Sequence, residues 1–509
     1  MPTTAHQPCP CTLDPTHLAP CTIVIFGASG DLTTRKLGPA LFSLFCHGHL
    51  PDQLAIVGTG RTAMTDQEFR ASLRAAMPAL GGKGCEEWES FAARLSYLRV
   101  DYESEHSFGE LADYLAAVDQ RMHTEGNRIF YLATPPAMYG PIGRGLGVSG
   151  LAAEQGEGRG WSRLVVEKPF GRDLTSAMEL HEILHQSFDE SRIFRIDHYL
   201  AKDTVQNVLM LRFANSIFEP IWNRSHIEYI GIMAAEELGV EHRAGYYEQA
   251  GVVRDMFQNH MLQLLALTSM EPPSWLYADR VREEKLKVFR SLQPFSESDL
   301  ESSIVLGQYG AGTIRGRAVP GYQEEPGVAP GSCTPTFAMT RLFIDNWRWQ
   351  GVPFYLVSGK RLQEKRTRIV VQFKGVPHPM FSGILANPHS ERIAANRLVI
   401  GIYPQEKISL RFQAKGQGPR LCLSPVTMDF DYPADAATAV DSYEKVLLDC
   451  ILGDQMLFWD KTGVELAWAF LDPVITRGDC VRAGEMLKPY PAGSWGPTAA
   501  WPWMELLLD

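Results

Sequence analysis

The sequence predicts an α/β domain built on a parallel sheet, then a larger α+β domain whose sheet is mostly antiparallel. Three observations lead there. The chain has 509 residues, too many for one ordinary core. Its first third alternates short β-branched runs with helical stretches, the pattern of βαβ units. After about residue 180, strand-like runs follow one another without helices between them, as in an antiparallel sheet.

The elements of the first part read in order. Residues 1–20 hold five Pro and no apolar run, and are expected to form an irregular extension. Thr22–Phe26 is a buried-strand signal, followed by a helical pattern from about Thr33 to Leu44. Further strands are expected at Leu54–Gly58, Ser96–Val100, Arg128–Ala133 and Arg163–Glu167, closing a first domain over 21–180. In the second domain, 181–509, strands are expected at Ile193–Ile196, Ile227–Ala234, Phe337–Ile344, Arg368–Phe373, Arg397–Ile402 and Lys407–Gln413. Helices are expected from Lys202, over Ser442–Leu452 and near Leu466–Leu471. The Gly/Pro-rich segment Gly307–Pro335 reads as a long connecting loop.

Composition narrows the function. Hydrophobic residues make up 45% and charged residues 21%, an ordinary globular balance. A net charge of −11 argues against nucleic-acid binding, and an anionic substrate would need local clusters of Lys and Arg. The nine Cys form no even framework, which favours reduced thiols. Cys9-Pro10-Cys11 beside His6 fits no zinc template, so no metal is expected. There is no secretory h-region and no apolar run of the ~18 residues a membrane span needs. The expectation is a cytoplasmic enzyme without a membrane partner.

The first chemical motif is Gly27-Ala28-Ser29-Gly30-Asp31-Leu32, between strand and helix. Glycines there let the backbone approach a pyrophosphate, and the helix N-terminus offers free N–H groups. The motif is G-x-x-G rather than G-x-G-x-x-G, but its strand–turn–helix setting points to a Rossmann-type dinucleotide-binding domain. Where an NAD site usually carries an acid, this chain has Val57-Gly58-Thr59-Gly60-Arg61. Arg61 suits the 2′-phosphate of NADP; the plain alternative is a solvated loop arginine.

Three further segments gather polar groups. Glu167-Lys168-Pro169 ends a parallel strand, where such sheets bind ligands, although Lys168 could also be a surface lysine. In Asp197-His198-Tyr199 with Lys202, His198 and Lys202 suit phosphate binding, the plain alternative being a structural salt-bridge corner. On an α-helical period Val253, Met256, Phe257, His260, Leu264 and Leu267 share one apolar stripe. His260 is then either a core histidine or, paired with a carboxylate, a general base.

Taken together, Gly-Ala-Ser-Gly-Asp-Leu, Glu-Lys-Pro-Phe-Gly, Arg-Ile-Asp-His-Tyr-Leu and Arg-Asp-Met-Phe-Gln-Asn-His resemble the glucose-6-phosphate dehydrogenase family from Cys21 to the C-terminal region. The resemblance implies oxidation of D-glucose 6-phosphate at carbon 1 to 6-phospho-D-glucono-1,5-lactone, the first step of the oxidative pentose phosphate pathway. The cofactor is then NADP, with NAD as a second choice. By the same resemblance His260 is the general base and Asp197 orients it. His198, Tyr199 and Lys202 hold the sugar's phosphate, and Lys168 lies between cofactor and substrate. Glu236 and Asp255 bind sugar hydroxyls, Lys360 and Lys365 complete the basic contacts, and Gly27 to Leu32, Arg61 and Tyr139 serve the cofactor. Ala201 and Asp203 depart from the family's usual Gly and Glu. Gly493-Ser-Trp-Gly-Pro497 looks like bacterial members, so a second, structural NADP site is not assumed. The family's large sheet implies a homodimer or homotetramer. Another NAD(P)-dependent sugar or inositol dehydrogenase, which also carries Glu-Lys-Pro, and an inactive NADP-binding sensor are the alternatives.

Overall fold

The computed structural model describes residues 18–77, 87–153, 160–296, 298–378, 380, 393–419, 422–431, 441–477 and 487–508. The Cys9–Cys11 pair with His6 lies outside them. Two compact units emerge. One comprises 1–170, 179–198 and 440–459; the other comprises 171–178, 199–439 and 460–509.

The first unit is built on six parallel strands: β1 (Cys21–Phe26), β2 (Leu54–Gly60), β3 (Leu95–Arg99), β4 (Arg128–Leu132), β5 (Ser162–Val166) and β6 (Ile193–Arg195). Their order is β3-β2-β1-β4-β5-β6, the doubly wound Rossmann arrangement. Every residue of β1, β2 and β4 is buried, as expected of a sheet covered on both faces. Phe26 packs edge-on to Tyr102 with ring centres 5.6 Å apart.

The second unit carries β7 (Ile227–Ala235), β8 (Ile304–Gly310), β9 (Gly312–Ile314), β10 (Arg317–Val319), β11 (Phe337–Leu342), β12 (Phe354–Gly359), β13 (Arg366–Phe373), β14 (Arg397–Tyr403), β15 (Lys407–Lys415), β16 (Leu423–Asp431) and β17 (Leu487–Pro491). Nine of them form one sheet in the order β16-β15-β14-β13-β7-β12-β11-β8-β17. It is mostly antiparallel; only β7–β12 and β8–β17 pair in parallel. One face covers a core that includes Met233, Tyr247, Tyr309, Phe337, Val357 and Leu507.

Gly307–Pro335 is not the plain loop expected. Its start completes β8, a hairpin of β9 and β10 follows, and Tyr322–Glu324 forms a helical turn. Glu248 ties the segment down, accepting hydrogen bonds from the Tyr322 hydroxyl, Ser332 Oγ at 2.7 Å and Ala329 N at 3.3 Å. The glycines mark the strand ends and turns, so their density conceals three strands. Among the described residues, no helix is long and apolar enough to cross a membrane.

One buried carboxylate carries a pH signature. Burial pushes Asp449 up to about 6 from 3.8, even with Lys445 Nζ 3.1 Å away. Between those values the folded chain holds a proton that the unfolded chain releases, so stability falls as pH rises through that window. Asp449→Asn should therefore raise stability above pH 7 by about 1–3 kcal/mol, and by roughly half as much near pH 5. Melting temperatures at the two pH values check this; an equal change at both would exclude the titration of Asp449 as the cause.

Candidate functional site

The phosphate-binding turn leaves β1 at the point where the strand order reverses, between β1 and β4. Such a switch point is the crevice where open α/β sheets bind ligands. Gly27 takes φ +84°, and a Cβ there would lie 2.5 Å from the Ala133 carbonyl oxygen. The position is thus confined to glycine. Gly30 N donates to Gly27 O at 2.9 Å, closing the turn. Ala28 is buried, Ser29 and Asp31 are exposed, and Leu32 is half-buried. A π-helical turn, Thr33–Leu37, continues into the helix Gly38–Cys46. Beside the turn, Thr134 Oγ1 is buried without a partner among the described residues. The cradle closed to any Cβ and the orphaned hydroxyl fit a bound dinucleotide.

At the end of β2, Arg61 is exposed. The next acid along the chain is Asp66, which accepts a hydrogen bond from Tyr97 N at 2.7 Å. Tyr139 is buried, and its hydroxyl donates to Glu167 O at 3.0 Å.

A second group in this unit gathers at the ends of β5 and β6. Glu167 is buried, accepts the Tyr131 hydroxyl at 2.7 Å, and has both carboxylate oxygens 3.2 Å from His198 Nε2. Burial alone would raise its carboxyl; the His198 ring, the Tyr131 hydroxyl and Lys168 outweigh that and hold it below the usual range. Lys168 precedes Pro169 through a cis peptide and is half-buried. Asp197 is buried two residues beyond β6. Nothing in the sequence reading gave Glu167 a role; the signal was its place beside Lys168 in the same motif.

In the second unit, β7 and β12 run parallel with Ala235 opposite Gly359. The next residue of each strand is Glu236 and Lys360, and these two form an ion pair. Lys360 Nζ lies 5.1 Å from the Tyr247 ring centre. Asp255 is buried and accepts the Tyr246 hydroxyl at 3.3 Å. Burial, then the charges of Asp255 and Glu236, push the Tyr247 hydroxyl well above 10, and it has no hydrogen-bond partner among the described residues. Both tyrosines escaped the sequence reading, although they sit within the same motif-bearing segment.

His260 does not lie on an α-helical stripe. Val253–Met261 is a π-helix, and all of it except Arg254 is buried. It follows Gly251, which has φ 56° and ψ 178°. Asp255 and His260 are five residues apart, nearly opposite one another at 3.6 residues per turn. In the wider i→i+5 helix they come onto one side. The Tyr199 ring stacks on His260 at 4.2 Å, and Lys202 Nζ lies 4.8 Å from the Tyr199 ring centre. Lys365 stands apart from the Glu236–Lys360 pair in its contacts: it is exposed, with its ammonium 4.1 Å from the Tyr403 ring centre.

Residues 24–207 match the model of the glucose-6-phosphate dehydrogenase NAD binding domain, and 209–506 match that of the C-terminal domain. The chain belongs to the glucose-6-phosphate dehydrogenase family. It is 46% identical over 481 residues to glucose-6-phosphate 1-dehydrogenase of Aggregatibacter actinomycetemcomitans, covering 94% of each chain. It is 46% identical over 490 residues to that of Treponema pallidum, covering 95% of this chain and 93% of the relative. A solved glucose-6-phosphate dehydrogenase in complex with its substrate glucose 6-phosphate superposes with a TM-score of 0.86 at 32% identity, covering 96% of this chain and 97% of the other. As a member of the glucose-6-phosphate dehydrogenase family the chain is an oxidoreductase, and its cofactor is a nicotinamide dinucleotide.

Gly27→Ala tests the cradle. A Cβ colliding with Ala133 O at positive φ should cost about 1–3 kcal/mol of stability and weaken dinucleotide binding at least 10-fold. Thermal melts and fluorescence titration with reduced dinucleotide read both; a variant that binds normally would show that the backbone does not approach the ligand here.

Proposed function

We propose that the protein oxidises D-glucose 6-phosphate at carbon 1 to 6-phospho-D-glucono-1,5-lactone, with NADP preferred over NAD. The observation that carries this reading is the buried π-helix that brings Asp255 and His260, five residues apart, onto one side, in the unit that also holds Glu236 and Lys360. The superposition on a relative solved with glucose 6-phosphate supports the same substrate.

The nicotinamide, when bound, accepts a hydride from carbon 1. The chain's own residues make that departure feasible. Removing hydride from a carbon whose hydroxyl keeps its proton would build positive charge there. His260, as general base, takes that proton through an imidazole nitrogen, so the electrons of the O–H bond form the lactone carbonyl. Stacking on Tyr199 limits the tilt of its ring. Asp197 keeps the orienting role that the family resemblance gives it. Glu236 and Asp255, acceptor-only when ionised, select sugar hydroxyls as donors, and Lys360 tempers the charge of Glu236. His198, Tyr199 and Lys202 hold the phosphate, with Lys168 and Lys365 as further basic contacts. Gly27 to Leu32 cradle the dinucleotide's phosphates, Arg61 reads a 2′-phosphate, and Tyr139 braces the end of β5 through Glu167 O.

Two further proposals concern setting. The exposed Met428 and Phe430 on the edge strand β16 support a homodimer or homotetramer assembled on the large sheet. None of the five described cysteines is in a disulfide, which supports a reducing, cytoplasmic location.

His260→Asn should lower kcat by about 10²–10⁴-fold while both ligands still bind. Kcat per folded molecule and melting temperature, read on one sample, decide; a folded variant with near-normal kcat would sink the base assignment. Arg61→Ala should raise KM for NADP roughly 10- to 100-fold, the loss of a charge-assisted contact worth about 1.5–3 kcal/mol, and leave KM for NAD nearly unchanged. Equal effects on both cofactors would show that Arg61 does not read the 2′-phosphate.

A further inference from the structure

We propose that Glu167 is a positioning residue for substrate phosphate: its carboxylate holds His198 by Nε2 and leaves Nδ1, protonated, as the nitrogen that meets the phosphate. This rests on the reading of His198 as a phosphate contact. The geometry is specific. Both Glu167 oxygens lie 3.2 Å from His198 Nε2, and the Tyr131 hydroxyl at 2.7 Å fixes the carboxylate from behind. The Tyr443 ring, 4.1 Å from the imidazole centre to centre, packs against the His198 ring. His198 Nδ1 is buried and has no partner among the described residues.

Glu167 is ionised and accepts only, while burial and the Glu167 charge keep the Tyr131 hydroxyl protonated, so that it donates. Nε2 must therefore carry the hydrogen shared with Glu167. A neutral ring would then offer a lone pair at Nδ1, and a phosphate oxygen would be repelled. An imidazolium offers N–H to both sides. The ring thus relays the negative charge of Glu167 into a donor aimed at the phosphate, as a carboxylate orients an imidazole in metal and acyl-transfer sites. The groups around the ring are Glu167 and the adjoining Lys168, Tyr131 on β4, Tyr443 of the helix Ser442–Leu452, the neighbouring Asp197, and Lys36, whose ammonium lies 5.9 Å from the Tyr443 ring centre. Among these, Glu167 is the acid whose contact with the imidazole is resolved at hydrogen-bond distance.

Steady-state kinetics with glucose 6-phosphate and with unphosphorylated glucose test this in wild type, Glu167→Gln, Glu167→Asp and His198→Asn. Glu167→Gln should raise KM for glucose 6-phosphate roughly 10-fold and leave KM for glucose and for NADP within about twofold, because those ligands do not use the imidazolium. Glu167→Asp keeps the charge at a longer reach and should fall between wild type and Gln. It also serves as the variant if Gln fails to fold. The ¹⁵N shifts of His198 should report N–H at both ring nitrogens in wild type and a neutral ring in Glu167→Gln. Equal rises for glucose and glucose 6-phosphate, or no change, would overturn the proposal while His198→Asn still raised KM for glucose 6-phosphate alone. No effect of His198→Asn would instead overturn the phosphate assignment of His198, and the proposal with it.

Discussion

A charge taken out of water must be paired, and in this fold that requirement arranges the groups on which chemistry depends. Burial favours the protonated form of a carboxylate, and at Asp449 it outweighs even the neighbouring Lys445. Glu167 is equally buried, yet the His198 ring and the Tyr131 hydroxyl keep it ionised. Glu236 and Lys360 satisfy one another in the same way. Removing either member of such a pair leaves the other charge uncompensated, which is why these positions resist independent change. The same pairing gives each group a fixed partner, and a binding site needs that fixed geometry more than it needs the net stability of the ion pair.

The fold class was legible because both sheets announce themselves by burial. The five strand-like runs expected in the first domain, separated by helices, admit little besides a doubly wound sheet; the sixth strand, Ile193–Arg195, was expected in the second domain and instead pairs with β5. Edge strands were less legible. β16 contains Pro425 and β17 contains Pro489 and Pro491, and proline argues against a strand unless the strand lies at an edge. Both do lie at edges, one at each end of the large sheet. β8 to β10 were hidden by glycines that close their turns. β12, Phe354–Gly359, is a wholly buried strand that the sequence signals as plainly as β1, although it is not among the expected strands.

The candidate site was legible as a set of motifs but not as an arrangement. The residues of Asp-His-Tyr and Gln-Asn-His could be singled out by chemistry alone. That Asp255 and His260 share a side depends on i→i+5 hydrogen bonding, and apolar periodicity cannot signal this when the helix is buried all round. Glu167 illustrates a different limit. Its partner His198 is 31 residues away. A glutamate ending a buried strand looks the same in sequence whether it faces solvent or an imidazole. Local pattern identifies which side chains have the right chemistry; strand order decides which of them meet.

That decision falls repeatedly at the carboxyl ends of parallel neighbours. In the first unit, β1 beside β4 places the Gly27 turn against Ala133, and β5 beside β6 places Glu167 near His198. The large sheet is mostly antiparallel, yet Glu236 and Lys360 leave β7 and β12, one of its two parallel pairs. Antiparallel neighbours point their chain ends in opposite directions, so residues following two adjacent strands are separated by the strands' full length. Parallel neighbours deliver both following residues to one edge, with register set by the buried pairs behind them. The pairing of Ala235 with Gly359 thus fixes the pairing of Glu236 with Lys360, and a slip of one residue would turn every side chain of the strand to the opposite face. A local parallel pair inside an antiparallel sheet therefore gives the second unit the same geometric device that the dinucleotide fold uses throughout.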